Sequence, residues 1–430
     1  MKRLTPAATT TLLAIALTAT ASAVRASSPI TGALGEIKPL IDFRLRYENV
    51  EQLATPALNQ ANAATFRARV GFETGKAWST ALLVEGEAVA PLQGRYRADP
   101  AVPVLNASYA VVADPEDQEL NRLTLTNTSL LDTTITLGRQ RINLDDQRFI
   151  GNVGWRQNEQ TFDALRVVNK HIRNLTVDLT YVVHANRIYG PDSPQSPYSG
   201  DSYLGNIAYQ TKVGKLTGFA YLLSFNPILK VAAGLNPTRV STSTYGLRFA
   251  GDRLVGKIKL GYIASYAQQT ERGRNPFKID NEYQLLELNA TWRTTTFGVG
   301  DEILSGYLVP GTTTTVGFST PLATLHKFQG WADKFLTTPG NGIDDRYASV
   351  TYLKKGLGPL DTLTAVAAFH SYGAERITGN YGDELDLSVA AKYQRYTGTI
   401  KYGDYNAAAT TPIAIARDTK KFWLQLDFVY

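Results

Sequence analysis

Connections along this chain are short and long by turns, and that parity constrains the fold more than any other feature. Gly75–Ser79, Thr128–Asp132, Lys170–Asn174, Lys212–Lys215, Gly251–Gly256, Arg293–Thr295, Lys354–Asp361 and Tyr396–Thr399 are short. Interleaved with them are Pro91–Glu119, Gly138–Asp163, Tyr189–Asp201, Asn226–Ser241, Thr270–Asn281, Ser305–Asp345, Gly373–Gly382 and Ala407–Ile415, all longer. A transmembrane β-barrel sorts its connections this way, with short turns at one rim and long loops at the other. Sandwiches and propellers do not sort loops by parity, and no fixed-period repeat supports a propeller. With the further connection between Glu48 and Phe66, these separate eighteen segments, an even count as in single-chain bacterial barrels. The expected fold is all-β: one antiparallel transmembrane barrel with short periplasmic turns and long extracellular loops.

Residue patterns within the segments agree. Ile41, Phe43, Leu45 and Tyr47 alternate with Asp42, Arg44, Arg46 and Glu48. Leu385, Leu387 and Val389 stand opposite Asp386 and Lys392. A charge on the lipid face costs roughly 2–4 kcal/mol near the bilayer midplane. The charged faces therefore line an interior, placing Arg44, Arg46, Arg67, Arg69, Arg122, Arg248, Lys257, Lys259, Arg293, Lys392 and Lys401 there, with acids such as Glu85, Glu87 and Asp178. Most such charges are expected to neutralise one another and stiffen the wall, leaving any arginine excess at a constriction to set selectivity. A hairpin turn centred near Ala77 sets Arg67 opposite Glu87 and Arg69 opposite Glu85. The last segment alternates Phe422, Leu424, Leu426, Phe428 and Tyr430 up to the final residue, as a strand closing a barrel edge must.

The N-terminus carries Lys2 and Arg3, a short apolar run Leu12–Leu17 and an Ala21-Ser22-Ala23 site, the pattern of a cleaved secretory signal. The expected organisation is a signal peptide over 1–23, a short segment over 24–34 and a barrel over 35–430. Loss of Lys2 and Arg3 lowers the formal charge of +6 by two. No block of like charge suggests a nucleic-acid partner. The chain has no cysteine, which removes disulfides, thiolate metal sites and cysteine nucleophiles. Past the signal no apolar run reaches about 18 residues, so helical spans are not expected.

Nothing assembles into a catalytic or cofactor site. His171, His184, His326 and His370 show no metal spacing, and His370 and Ser371 point to opposite faces of one strand. The acidic runs Asp145-Asp146, Asp344-Asp345 and Asp114–Glu119 lack calcium-loop spacing and read as solvated loop acids. The expectation is no catalytic residue, no metal and no cofactor.

One stretch matches neither a membrane strand nor a linker. Gly138 to Asp163, GRQRINLDDQRFIGNVGWRQNEQTFD, is too polar for lipid and holds Phe149, Trp155 and Phe162. Its natural place is a water-filled interior. Strict alternation from Leu137 would put Arg139 and Arg141 in lipid, so a bulge at or beside Gly138 is expected to turn Arg139 inward. Arg139, Arg156 and Arg166 then reach the narrowest part, with Asp145, Asp146 and Asp163 holding them in place.

Leu137–Arg166 and Thr320–Tyr347 resemble the alginate-export family of outer-membrane barrels. That resemblance implies an eighteen-stranded barrel with an arginine-rich pore for an anionic polyuronate. It also implies pore roles for Arg139 and Arg166, with Arg156 as companion. Gln140 and Arg141 depart from the exporter's pattern, and substrate does not transfer with fold. The functional expectation is an outer-membrane channel for anionic or polar solutes, sugar-like ones included. The alternatives are a dedicated polysaccharide exporter and a sealed barrel acting as adhesin or enzyme. Expected partners are outer-membrane lipid, lipopolysaccharide and, through the C-terminal strand, the barrel-assembly machinery.

Overall fold

The computed structural model describes residues 28–53, 58–102, 106–228, 236–409 and 417–430. The expected signal peptide, and parts of the loops at 226–241 and 407–415, lie outside the described residues. A short helix, Pro29–Gly35, is capped by the Ser28 hydroxyl, and its Ala33 carbonyl accepts the Gly75 N–H at 3.0 Å. Strands follow as β1 Lys38–Gln52, β2 Ala61–Glu73, β3 Thr80–Arg95, β4 Asp117–Asn127, β5 Thr133–Gln140, β6 Thr161–Asn169 and β7 Leu175–Asn186. Next come β8 Tyr198–Gln210, β9 Lys215–Leu222, β10 Thr242–Val255, β11 Ile258–Glu271, β12 Asp280–Trp292 and β13 Thr295–Leu304. A small hairpin, β14 Gly306–Leu308 and β15 Thr315–Gly317, sits within a loop. The wall resumes with β16 Ile343–Leu357, β17 Leu360–Gly373, β18 Asn380–Tyr393, β19 Tyr396–Asn406 and β20 Thr419–Val429.

Each wall strand pairs antiparallel with its neighbours, and β20 pairs with β1, closing an 18-stranded barrel. Closure leaves no edge strand, the one arrangement in which a sheet satisfies its backbone inside a bilayer. Several turns are tighter than the sequence suggests, running through Gly256, Arg293, Gly358 and Gln394. Each of these takes φ between +52° and +60°, as two-residue hairpins require.

Inside and outside are inverted relative to a soluble protein. Leu125, Leu137, Leu179, Leu247, Leu288, Phe297 and Leu424 are each half exposed on the outer face, while Arg46, Arg67 and Arg148 are among the largest fully buried side chains. Only a bilayer around the barrel makes that distribution stable.

The first hairpin departs from the expected register. Arg69 lies opposite Glu87, Arg67 opposite Val89 and Gly71 opposite Glu85. The turn is centred one residue later than expected, with Trp78 and Ser79 at φ +48° and +59°. Shifting that centre by one slides the pairing by two residues and leaves every side chain on its face. Gly138 takes φ +116°, yet the register passes it unbroken, Leu125 facing Leu137 and Leu123 facing Arg139. The irregularities fall on flanking pairs instead, at Glu85/Gly86 and Asp163/Ala164.

Candidate pore

Two long loops fold into the lumen and dock on each other. In the loop 141–160, Gly151 N–H donates to the Leu322 carbonyl of the loop 305–342 at 2.9 Å. The Gln160 amide donates to both the Gly151 and Leu322 carbonyls, and Val153 N–H donates to the Thr324 hydroxyl at 3.1 Å. These are the two polar stretches singled out in the sequence, and they spend their polar groups on one another and on the wall.

Phe149 drops into an aromatic nest on one wall, with ring centres 5.1 Å from Phe219 and 5.1 Å from Tyr283. Across the lumen the same loop lies over the seam between β1 and β20. Arg44 donates from Nε to Asp427 at 2.7 Å and from Nη1 to the carbonyls of Gly154 and Trp155. Arg46 donates to Gln425 and to the Trp155 carbonyl, its guanidinium 4.2 Å from the Trp155 ring centre. The second loop is fixed by backbone N–H groups: Ala332 to Glu384 at 2.6 Å and Trp331 to Asp386 at 3.2 Å. Gly330 (φ +79°) permits this, because a Cβ there would lie 2.3 Å from the Glu384 carboxylate and the Tyr372 hydroxyl.

A buried cluster joins both loops to the wall. Lys401 Nζ donates to His326 Nε2 at 2.7 Å, and His326 Nδ1 faces Asp333 at 2.7 Å. Asp333 also accepts from Arg156 at 2.8 Å and Lys421 at 2.6 Å. Lys401 lies 3.7 Å from the Trp331 ring centre and 4.3 Å from that of Trp155, which stacks on His326. Burial holds the His326 imidazole well below its ordinary range despite the adjacent Asp333 carboxylate. Burial would raise Glu159, but Arg69 and Arg141 hold its carboxyl at about 2.

The expected site residues separate into three groups. Arg44, Arg46, Arg67, Arg69 and Arg248 point into the lumen, as do Glu85 and Glu87. Arg69 is ion-paired with Glu87, Glu85 binds Arg122 at 2.7 Å, and Arg248 lies 3.1 Å from Asp146. Arg156 and Arg166 are also inside and paired, Arg156 with Glu48 at 3.2 Å and Arg166 with Asp178 at 2.5 Å. Arg139 does not join them. It faces Leu123 and Asp163 across the sheet, on the side that carries Leu137 and Leu165, and is neutralised by Asp163 at 2.7 Å. Arg141 instead leaves the strand end and reaches Glu159 at 2.6 Å. Arg293 is a turn residue, its guanidinium 4.7 Å from the Trp292 ring centre at the turn rim, and Lys257 lies exposed in the two-residue turn between β10 and β11, so neither lines the pore. Two of the loop acids expected to be solvated are ion-paired: Asp114 contacts Arg46 at 3.3 Å, and Asp145 contacts Lys215 at 3.0 Å. Lys401 was expected inside, but its place between the loops, with His326 and Asp333, was not.

A closed barrel with an apolar outer belt, a charged interior and loops folded inward defines a transmembrane β-barrel of the outer-membrane kind. No protein-family model matches the chain and no curated protein sequence matches it, so the alginate-export resemblance gains no support. Solved structures do match. OpdK, an outer membrane protein from Pseudomonas aeruginosa, is similar at 13% identity and a TM-score of 0.66, covering 93% of this chain and 100% of that one. Pseudomonas aeruginosa OccK9 (OpdG) is similar at 16% and 0.68, covering 93% and 99%. Acinetobacter baumannii OccAB4 is similar at 13% and 0.64, covering 92% and 98%. At these identities the likeness is one of fold.

Proposed function

We propose that this protein is a passive outer-membrane channel for small anionic solutes. Arg67 carries the reading. It stands directly opposite Arg44 on the lumenal face, beside Arg69. It is fully buried and binds Asp42 at 2.5 Å, but its Nε and Nη1 meet no acceptor among the described residues. Like charges face to face destabilise a sheet, and buried unsatisfied donors cost roughly 1–3 kcal/mol. An anion passing between the loops and the β1–β3 wall would relieve both. Arg44, Arg122 and Arg141 stand on the same side with part of each side chain still exposed, and guanidinium stays charged at any physiological pH. One solved OpdK structure contains vanillate.

The exporter alternative requires a lumen wide enough for a polymer. Two loops docked across the interior favour small solutes. Planar-bilayer recording under a salt gradient tests the proposal: anion selectivity is expected, reduced in Arg67→Gln. A cation-selective wild-type pore overturns it.

A further inference from the structure

The outer surface of the barrel changes sign between its rims. By alternation, Glu282, Asp301, Asp344, Asp383 and Asp404 face outward at the loop rim, where the outward bases Arg139, Arg346 and Lys420 are each paired with an acid. At the turn rim the exposed charges are mainly basic, and they lie beside exposed apolar residues. Ile172 is flanked by His171 and Arg173, and Val213 follows Lys212.

Across the β10–β13 turns the pattern is sharpest. Val255, Ile258 and Trp292 are 54%, 41% and 50% exposed, and Ile258 faces Trp292 across the sheet. Arg253, Lys257 and Arg293 border them, all exposed. Further round, Arg395 lies 3.8 Å from the ring centre of Tyr430. Exposed aromatics at a barrel rim mark the headgroup level. A guanidinium stacked on such a ring is held at that depth with its N–H groups free for phosphate.

We infer that the turn rim binds the phosphate groups of anionic phospholipid in the leaflet it meets. The surface continues directly into the apolar belt, so a lipid must already lie against it, and its charge selects which one. Lysine and arginine stems cover the apolar residues while their heads reach the phosphate plane. This association is independent of what the pore carries, so its failure would leave the channel proposal standing.

The test uses the full barrel in nanodiscs of equal phosphatidylglycerol and phosphatidylcholine, released into mild detergent and weighed with its retained lipid. Phosphatidylglycerol should be enriched. Each base changed in Arg253→Gln, Lys257→Gln and Arg293→Gln should lower that enrichment by about fivefold. Heat-modifiable migration in pure phosphatidylcholine shows whether the variants fold. Should they not, wild-type enrichment must still collapse at 1 M salt, roughly a 3 Å screening length. Equal retention of the two lipids, enrichment unchanged by the substitutions or by salt, or preferential retention of added lipopolysaccharide would each overturn the inference.

Discussion

Arg156→Ala should loosen the inward loops while leaving the barrel intact. Arg156 is 5% exposed and ties its loop to Glu48 of β1 at 3.2 Å and to Asp333 of the other loop at 2.8 Å. Asp333 would keep Lys421 and His326, but Glu48, fully buried, would lose its ion-pair partner. Stranding a buried charge costs about 3–5 kcal/mol. The wall strands are held by their own backbone ladder, so the cost falls on loop docking. At about 1.4 kcal/mol per tenfold, the docking equilibrium shifts by roughly a hundredfold to a few thousandfold. Single-channel recording should show higher mean conductance and more open-channel noise, with normal heat-modifiable migration on gels. Glu48→Gln with Arg156→Met removes both charges and should restore much of the wild-type trace. Quiet, wild-type conductance in Arg156→Ala would refute the claim that this pair holds the loops.

Deleting Phe428–Tyr430 removes the end of β20 where it meets β1, and heat-modifiable, membrane-inserted protein should be lost; normal insertion of the truncated chain would contradict the closing role. Acid should open the pore. Burial lowers the proton affinity of His326, so undocked loops take up a proton more readily than docked ones: docking is fully favoured above about pH 6.5 and weakens as pH falls towards the docked-state value. Conductance should rise on acidification in the wild type and stay flat in His326→Gln; an unchanged slope in the variant would exclude His326 as the titrating group.

Much of the fold was legible because it rests on two short-range signals. Apolar alternation and connection parity gave the strand count, the closure and the inverted interior. Register was less legible, because a slip of two residues preserves every face. Only the φ values of Trp78 and Ser79 decide that Arg69, and not Arg67, meets Glu87. Arg293 reads as lumenal because it follows the outward Trp292 by one residue, but alternation ends where the turn begins, and Trp292 pairs directly with Thr295. The interior partners were hidden for a different reason. Arg156 and Asp333 are separated by 177 positions and meet only because both loops fold inward. Lys401, between Ile400 and Tyr402, reads as an ordinary lumenal strand residue, and nothing local marks His326 as its acceptor.

The placement of Arg44 ties the barrel's closing seam to the loop inside it. Its guanidinium joins Asp427 of β20 to the carbonyls of Gly154 and Trp155, so one β1 side chain bridges the last strand and the inward loop. Arg46 makes the same bridge with Gln425 and Trp155. Until the first and last strands meet, neither arginine has this set of acceptors, and the loop has no seam on which to settle. Parting the first and last strands would therefore release both bridges at once, so whatever springs this seam also loosens the loop that narrows the lumen.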